Sequence, residues 1–296
     1  MKRHLHPILM TCLSLTLLVI IGLSPALAGH GPAKEKKVGI LLTAFGSSEA
    51  SAQVSFENLE KKTREAYPDV PVFWAYTSHI IRNKLAKQGK QLDSPKVALA
   101  KMADQGFTHV AVQSLHTIMG AEYEDLNDVI NGFKTMGAFE QIIMGHPMLA
   151  TQADMETAVE AILSVIPKKR KKNEAVIFMG HGTHHPANAF YAALMFQVQL
   201  RDPNVFIGTV EGYPELGDIQ TMLKARKLKT AWLMPFMSVA GDHAKNDMAG
   251  DGEDSWKTIL TQSGIRCNTV LKGTAEFDAF VNIWVSHLKA PLAHFE

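Results

Sequence analysis

Cysteine is almost missing from this chain. Of 296 residues two are cysteine, Cys12 and Cys267, and Cys12 falls in an N-terminal apolar leader. The remaining chain therefore forms no internal disulfide and relies on a packed core. A surplus of either charge is missing as well. Thirty Lys and Arg face 29 Asp and Glu, and without Lys2 and Arg3 of the leader 28 face 29. That balance gives no argument for a nucleic-acid partner, and none is expected. Beyond the leader no apolar run is long enough to span a bilayer, so no membrane insertion is expected once the leader is removed. Three common devices are absent too: a Gly-x-Gly-x-x-Gly opening a helix, a Gly-x-x-x-x-Gly-Lys-Ser/Thr loop, and a Gly-x-Ser-x-Gly elbow. No nucleotide is expected, and serine hydrolysis lacks its usual nucleophile.

What is present begins with the leader. Lys2 and Arg3 give a positive start, Ile8 to Leu23 form the apolar stretch, and Ala26-Leu27-Ala28 supplies a small-residue cleavage pattern. The stretch is about 16 residues, short of the roughly 20 of a transmembrane helix. Residues 1–28 thus read as a signal peptide cleaved after Ala28, which makes the mature protein exported, or periplasmic. The basic cluster Lys168-Lys169-Arg170-Lys171-Lys172 lies between a helix pattern and a strand pattern and reads as a solvated inter-domain loop.

Short apolar runs alternate with helical periodicity from Val38 onward. Strand patterns at 38–44, 70–76, 109–115 and 140–144 are followed by a second set at 175–179, 205–210, 230–235 and 265–271. Alternating strands and helices imply α/β architecture, here two doubly wound, Rossmann-like parallel-sheet halves with a cleft between them. The expected division is residues 36–167 for the first half and 173–272 for the second, with a C-terminal helix at 274–290 packing back on the body. A weak internal repeat relates the halves as a pseudo-twofold pair, matching Phe45 with His181, Ser78 with Glu211 and Glu122 with His243.

Ligands of open parallel sheets sit beyond the carboxyl ends of the strands. In the second half three successive strand ends carry His181 in Gly180-His181-Gly182, Glu211 in Val210-Glu211-Gly212, and His243 in Gly241-Asp242-His243. Two imidazoles and a carboxylate suit a late first-row divalent ion and leave coordination positions open. The first half offers a facing set. His116 follows the third strand, and Glu122, Glu124 and Asp125 open the next helix. These acids either serve the helix dipole or guide a cation and position a ring nitrogen. Ser47 either caps a helix or binds a substrate carboxylate. Met237, with Met119, Met234 and Met248, either fills the core or floors a flat apolar pocket. His184 and His185 are supporting candidates, and His79, His109 and His146 have no spacing argument.

Five motifs carry a family resemblance: Leu41-Leu42-Thr43-Ala44-Phe45-Gly46-Ser47, the stretch from Val112 to Tyr123, Met179-Gly180-His181-Gly182, Val210-Glu211-Gly212, and Gly241-Asp242-His243-Ala244-Lys245-Asn246-Asp247-Met248. Over about residues 36–290 the chain resembles class II tetrapyrrole chelatases, most closely the CbiK-type cobalt chelatases that act on sirohydrochlorin. The resemblance implies a homo-oligomeric enzyme of tetrapyrrole and cobalamin biosynthesis that inserts Co²⁺, or Fe²⁺, into a tetrapyrrole without ATP. It implies His181 and His243 as catalytic histidines and Glu211 as a further metal contact. It also leaves room for an additional haem at a subunit interface through one of the unassigned histidines. One feature departs from the pattern: the family's usual enzymes are cytoplasmic, whereas this chain carries a leader. A second class of function fits the same residues, an exported carrier of haem or free metal, since bilobed receptors also place histidines and a carboxylate in a cleft. A third is a hydrolase using metal-bound water.

Overall fold

The computed structural model describes residues 35–296, so the leader expected at 1–28 lies outside the described residues. Val38–Ala44 (β1) is a continuous apolar run because helices cover both faces of its sheet. Its side chains divide by parity. Ile40, Leu42 and Ala44 enter one core cluster and Leu41 another. Val72–Tyr76 (β2), His109–Ser114 (β3) and Gln141–Gly145 (β4) complete the first sheet in the order β2-β1-β3-β4, all parallel. Ala175–Gly180 (β5), Val205–Thr209 (β6), Thr230–Pro235 (β7) and Arg266–Thr269 (β8) form the second, ordered β6-β5-β7-β8 and again all parallel.

The two sheets share one topology, and the repeat read from the sequence is the repeat of the pairing. Ile40 pairs with Val72 and Ala111, while Val176 pairs with Val205 and Trp232. The same offsets carry Phe45 onto His181, Ser78 onto Glu211 and Glu122 onto His243.

In the first half the helices are Gln53–Ala66 (α1), His79–Ala86 (α2), Pro95–Asp104 (α3), Ala121–Thr135 (α4) and Gln152–Val165 (α5). Ser94 caps α3 by accepting from the Val97 N–H, with Pro95 in the first turn where its missing N–H costs nothing. Thr151 and Asp154 form a capping box at α5. Ala189–Gln199 (α6), Leu216–Ala225 (α7), Trp256–Gln262 (α8), Asp278–His287 (α9) and Lys289–His294 (α10) follow.

The inner faces of both sheets, with α1, α5, α6 and α9, bury one shared cluster that includes Ile40, Leu42, Ala158, Ile162, Phe178, Leu194, Phe280 and Trp284. Each sheet's outer face has a core of its own. Helix α9 packs chiefly on α1 and α5 of the first half, and its Phe280 also meets Phe236, just past β7 of the second, edge-on at 5.8 Å between ring centroids. Trp284 Nε1 donates to the His116 carbonyl at 3.2 Å, and His287 Nε2 meets Asp154 Oδ1 at 2.9 Å.

One local expectation changes, and one segment is irregular. His243 does not open a regular helix. Ala244–Met248 is a π-helical turn, and α8 starts only at Trp256, after Gly250 and Gly252 and a Ser255 cap. A Cβ at Gly250 would lie 2.4 Å from the Asn246 carbonyl oxygen, so glycine is what lets the chain leave the π-helical turn with the Gly250 N–H donating to that carbonyl at 3.0 Å. The basic cluster is not solvated throughout either. The Arg170 side chain, 6% exposed, forks onto both oxygens of Asp202 at 2.5 and 3.1 Å. Its guanidinium holds the Asp202 carboxyl below the ordinary carboxylate range, against the opposing effect of burial.

Candidate active site

The end of β5 is shaped by two glycines. A Cβ at Gly180 would lie 2.6 Å from the Tyr191 ring. Gly182 has φ +79°, and a Cβ there would lie 2.2 Å from the Glu211 carbonyl oxygen. Glycine is thus required for the His181 loop to run against the Glu211 loop. The Glu211 N–H donates to the His181 carbonyl at 2.7 Å. Asn188 ties the two loops further: its Oδ1 accepts from Thr183 N at 3.1 Å and its Nδ2 donates to the Tyr213 carbonyl at 2.6 Å.

His181 Nδ1 lies 3.0 Å from the Gly182 carbonyl oxygen. A carbonyl only accepts, so Nδ1 carries the hydrogen and Nε2 keeps its lone pair. The same logic holds for the second histidine. His243 precedes the π-helical turn, which brings Asp247 onto its side four residues later, and His243 Nδ1 donates to Asp247 Oδ2. That carboxylate–imidazole contact fixes the tautomer that leaves Nε2 free, the arrangement found behind metal-binding histidines. The two rings stand 4.8 Å apart between centroids at 89°. Two Nε2 lone pairs on adjacent strand ends can hold a divalent ion or accept protons from ring nitrogens.

Of the residues singled out in the sequence, the structure brings His181 and His243 together directly. Glu211 adjoins His181 through its backbone. Its side chain is exposed, and among the described residues no three His, Cys, Asp or Glu side chains gather closely enough to form a metal cluster. Ser47 is buried, with its Oγ accepting from Glu49 N at 3.2 Å, so it stabilises its own loop and does not cap α1. That loop lies against the second half, since a Cβ at Gly241 would be 3.5 Å from Ser47 Oγ.

Glu122 is an exposed first-turn residue of α4. Glu124, also exposed, meets His185 Nε2 at 3.1 Å across the halves. His116 Nδ1 pairs with Ser114 Oγ at 2.9 Å, while its Nε2 is buried without a partner. Burial drives its pKa down to about 4, so the ring is neutral at physiological pH. Met234 and Met248 are fully buried core residues, and Met237 is half-buried against the second half's outer core. These methionines therefore pack the fold, in agreement with the core alternative. Asp247 and Asn188 were not singled out from the sequence. Only the four-residue spacing from His243 signals the first, and no local pattern signals the second.

Comparison with known proteins decides the family. The model of the family described as cobalt chelatase (CbiK) matches residues 38–293. The chain belongs to the CbiK cobalt chelatase family. It is 47% identical over 257 residues to the sirohydrochlorin cobaltochelatase CbiKC of Nitratidesulfovibrio vulgaris, covering 87% of this chain and 91% of that protein. It is 36% identical over 258 residues to the sirohydrochlorin cobaltochelatase of Salmonella typhimurium, covering 86% and 97%. Among solved structures it is similar in fold to SirB from Bacillus subtilis with Fe³⁺, at a TM-score of 0.60 and 16% identity, covering 88% of this chain and 97% of that one. CbiX, described as the terminal enzyme of siroheme biosynthesis in denitrifying bacteria, gives a TM-score of 0.53 at 14% identity, covering 85% and 98%.

The resemblance carried by the five motifs is thereby upheld, and with it the expectation of a metal chelatase and of paired α/β halves. For a cobalt chelatase the metal is a substrate. The relatives support the enzyme reading and give no support to the carrier or hydrolase alternatives.

Proposed function

We propose that this cobalt chelatase inserts Co²⁺ into sirohydrochlorin without nucleotide, using His181 and His243 as catalytic and metal-contacting residues. The observation that carries the assignment is the pair of imidazoles 4.8 Å apart, each with Nδ1 committed to an acceptor and Nε2 left free. The balance of the reaction is simple: one Co²⁺ enters and two pyrrole N–H protons leave. A neutral imidazole suits both halves of it, as ligand to the incoming ion and as acceptor of a departing proton. Glu211 supplies the third metal contact in this reading, and its exposed side chain leaves it free to turn toward the pair.

The test is turnover. Enzyme, Co²⁺ and sirohydrochlorin, with no ATP, should give many insertions per chain, followed by absorbance. Alanine at His181 or His243 should abolish insertion while the circular dichroism spectrum is kept. Full activity in both variants would overturn the site assignment. Fe²⁺ is the second metal to run in the same assay.

Export is supported by the leader pattern at residues 1–28 and is checked by the N-terminal mass of the protein in a periplasmic fraction. Self-assembly is supported by α6. No residue from Pro186 to Leu200 is charged, and Phe196 and Leu200 are 66% and 71% exposed. Identical surfaces can meet there without opposing like charges. Sedimentation of the wild type and Phe196→Glu tests this. For an additional haem between copies, His79, His146, His184 and His294 are exposed among the described residues and are the candidate ligands, whereas His109 is enclosed against Phe295.

A further inference from the structure

The two halves also meet through an ion pair beside the catalytic turn. Glu49 lies in the loop after β1, directly beyond Ser47 and Ser48. Lys245 lies in the π-helical turn two residues past His243. Lys245 Nζ donates to Glu49 Oε2 at 2.6 Å. Lys245 holds the Glu49 carboxyl below its ordinary range, and Lys84 of α2 adds to the effect from the first half. One carboxylate is thus influenced by cations from both halves, and one of them stands two residues along the chain from His243.

Two features argue that this pair is more than a strut. Both side chains are partly exposed, 37% for Lys245 and 27% for Glu49, and a pair so placed adds little to stability. It is therefore cheap to exchange. Its place also matters. A lysine two residues from a histidine that faces a macrocycle's nitrogens reaches the periphery of that macrocycle, not its centre. The periphery of sirohydrochlorin is where its acetate and propionate groups lie.

We propose that Lys245 is a substrate-binding residue that takes a peripheral carboxylate of the tetrapyrrole, and that Glu49 occupies the carboxylate's place in the free enzyme. The inference rests on the chelatase reading given above. Substrate entry exchanges one carboxylate for another at the same ammonium, so the cation is never left unpaired. The exchange also frees the loop after β1 from the catalytic turn, which ties opening of the cleft to arrival of a carboxylate-bearing ring. A macrocycle without such groups gains nothing from Lys245 and must compete with Glu49 for no return, so the pair selects for acidic tetrapyrroles.

The test uses the full chain with sirohydrochlorin and Co²⁺ and reads the KM for the macrocycle in Glu49→Gln, Lys245→Gln and the double variant. Lys245→Gln should raise that KM about tenfold, the scale of losing a hydrogen bond to a charged group. Glu49→Gln, which removes the internal competitor, should lower it about two- to fivefold, the scale of an exposed ion pair. The double variant should behave as Lys245→Gln. A structural strut predicts otherwise, because either single substitution breaks the same pair and both shift KM the same way. Shifts of the same sign, or a Lys245→Gln KM within twofold of wild type, would overturn the inference. Failure of the wild type to insert Co²⁺ at all would instead overturn the chelatase reading.

Discussion

Asp247→Asn isolates what the π-helical turn contributes to chemistry. In the native turn the Asp247 carboxylate accepts the Nδ1 hydrogen of His243. An asparagine has the same size but can turn its amide N–H toward Nδ1. That stabilises the other tautomer, with hydrogen on Nε2, the atom required for metal or proton. Partners behind metal-binding histidines are worth about 10–100-fold in affinity or activity, or about 1.4–2.7 kcal/mol. The fold should feel much less. The two side chains are 37% and 40% exposed, and such a contact contributes at most about 1 kcal/mol. The assay is the initial rate of Co²⁺ insertion by absorbance, alongside thermal unfolding of the same preparation. The expected result is a 10–100-fold loss in kcat/KM with a melting temperature within a few degrees of wild type. Asp247→Ala, which lets the ring choose its tautomer, should lose less than Asp247→Asn. An Asp247→Asn enzyme with intact fold and a rate within twofold of wild type would refute the tautomer argument.

Three further outcomes follow from the same coordinates. Gly182→Ala places a Cβ against the Glu211 carbonyl at φ +79°, so the variant should lose at least about 1–3 kcal/mol in urea unfolding and nearly all insertion activity; wild-type stability in this variant would show that the loop has room. His116 titrates at about 4 when folded and near 6.5 when unfolded. A histidine whose folded value is depressed contributes its full stability above pH 6.5 and loses it as pH falls toward 4, a change of about 3 kcal/mol. Between pH 7 and pH 4.5 the wild type should therefore lose up to that much more than His116→Phe, and equal losses in both would sink the burial argument. Acidification should also slow insertion, because protonated imidazoles neither bind metal nor accept protons; a rate that rises on acidification would contradict the roles given to His181 and His243.

Most of the fold was legible because parallel strands with both faces covered advertise themselves as uninterrupted apolar runs. The repeat offsets relating Phe45 to His181 and Glu122 to His243 followed from motif spacing and were the offsets of the strand pairing. His181 and His243 were legible for a similar reason: strand ends in such sheets converge, so glycine-flanked histidines on neighbouring strands arrive together. What sequence did not show depended on packing at a distance. Glu211 meets His181 through its backbone, a contact no local pattern signals. Lys245 and Glu49 are 196 positions apart, and nothing local marks either as a partner. Arg170 sits in a run that looks solvated, yet its guanidinium is enclosed by Asp202, a contact set by where β6 begins. The π-helical turn has no local signature in the sequence: it is wider than a regular helical turn, and Gly250 serves only to let the backbone leave it close against the Asn246 carbonyl.

The layer that finishes the first half is made last. Sheet β2-β1-β3-β4 is complete by Gly145, but Phe280, Ile283 and Trp284 of α9, which cover its inner face with α1 and α5, lie beyond the whole second half in the chain. During synthesis the early strands therefore wait, with an apolar face uncovered, until the final helices emerge. Domains that fold as units can mature in order from the ribosome; this one cannot close its first half until nearly all of the chain is available. A nascent chain stalled before Asp278 would be a sticky, unfinished sheet, so chaperone demand should be governed by the last twenty or so residues, far from the chemistry they serve.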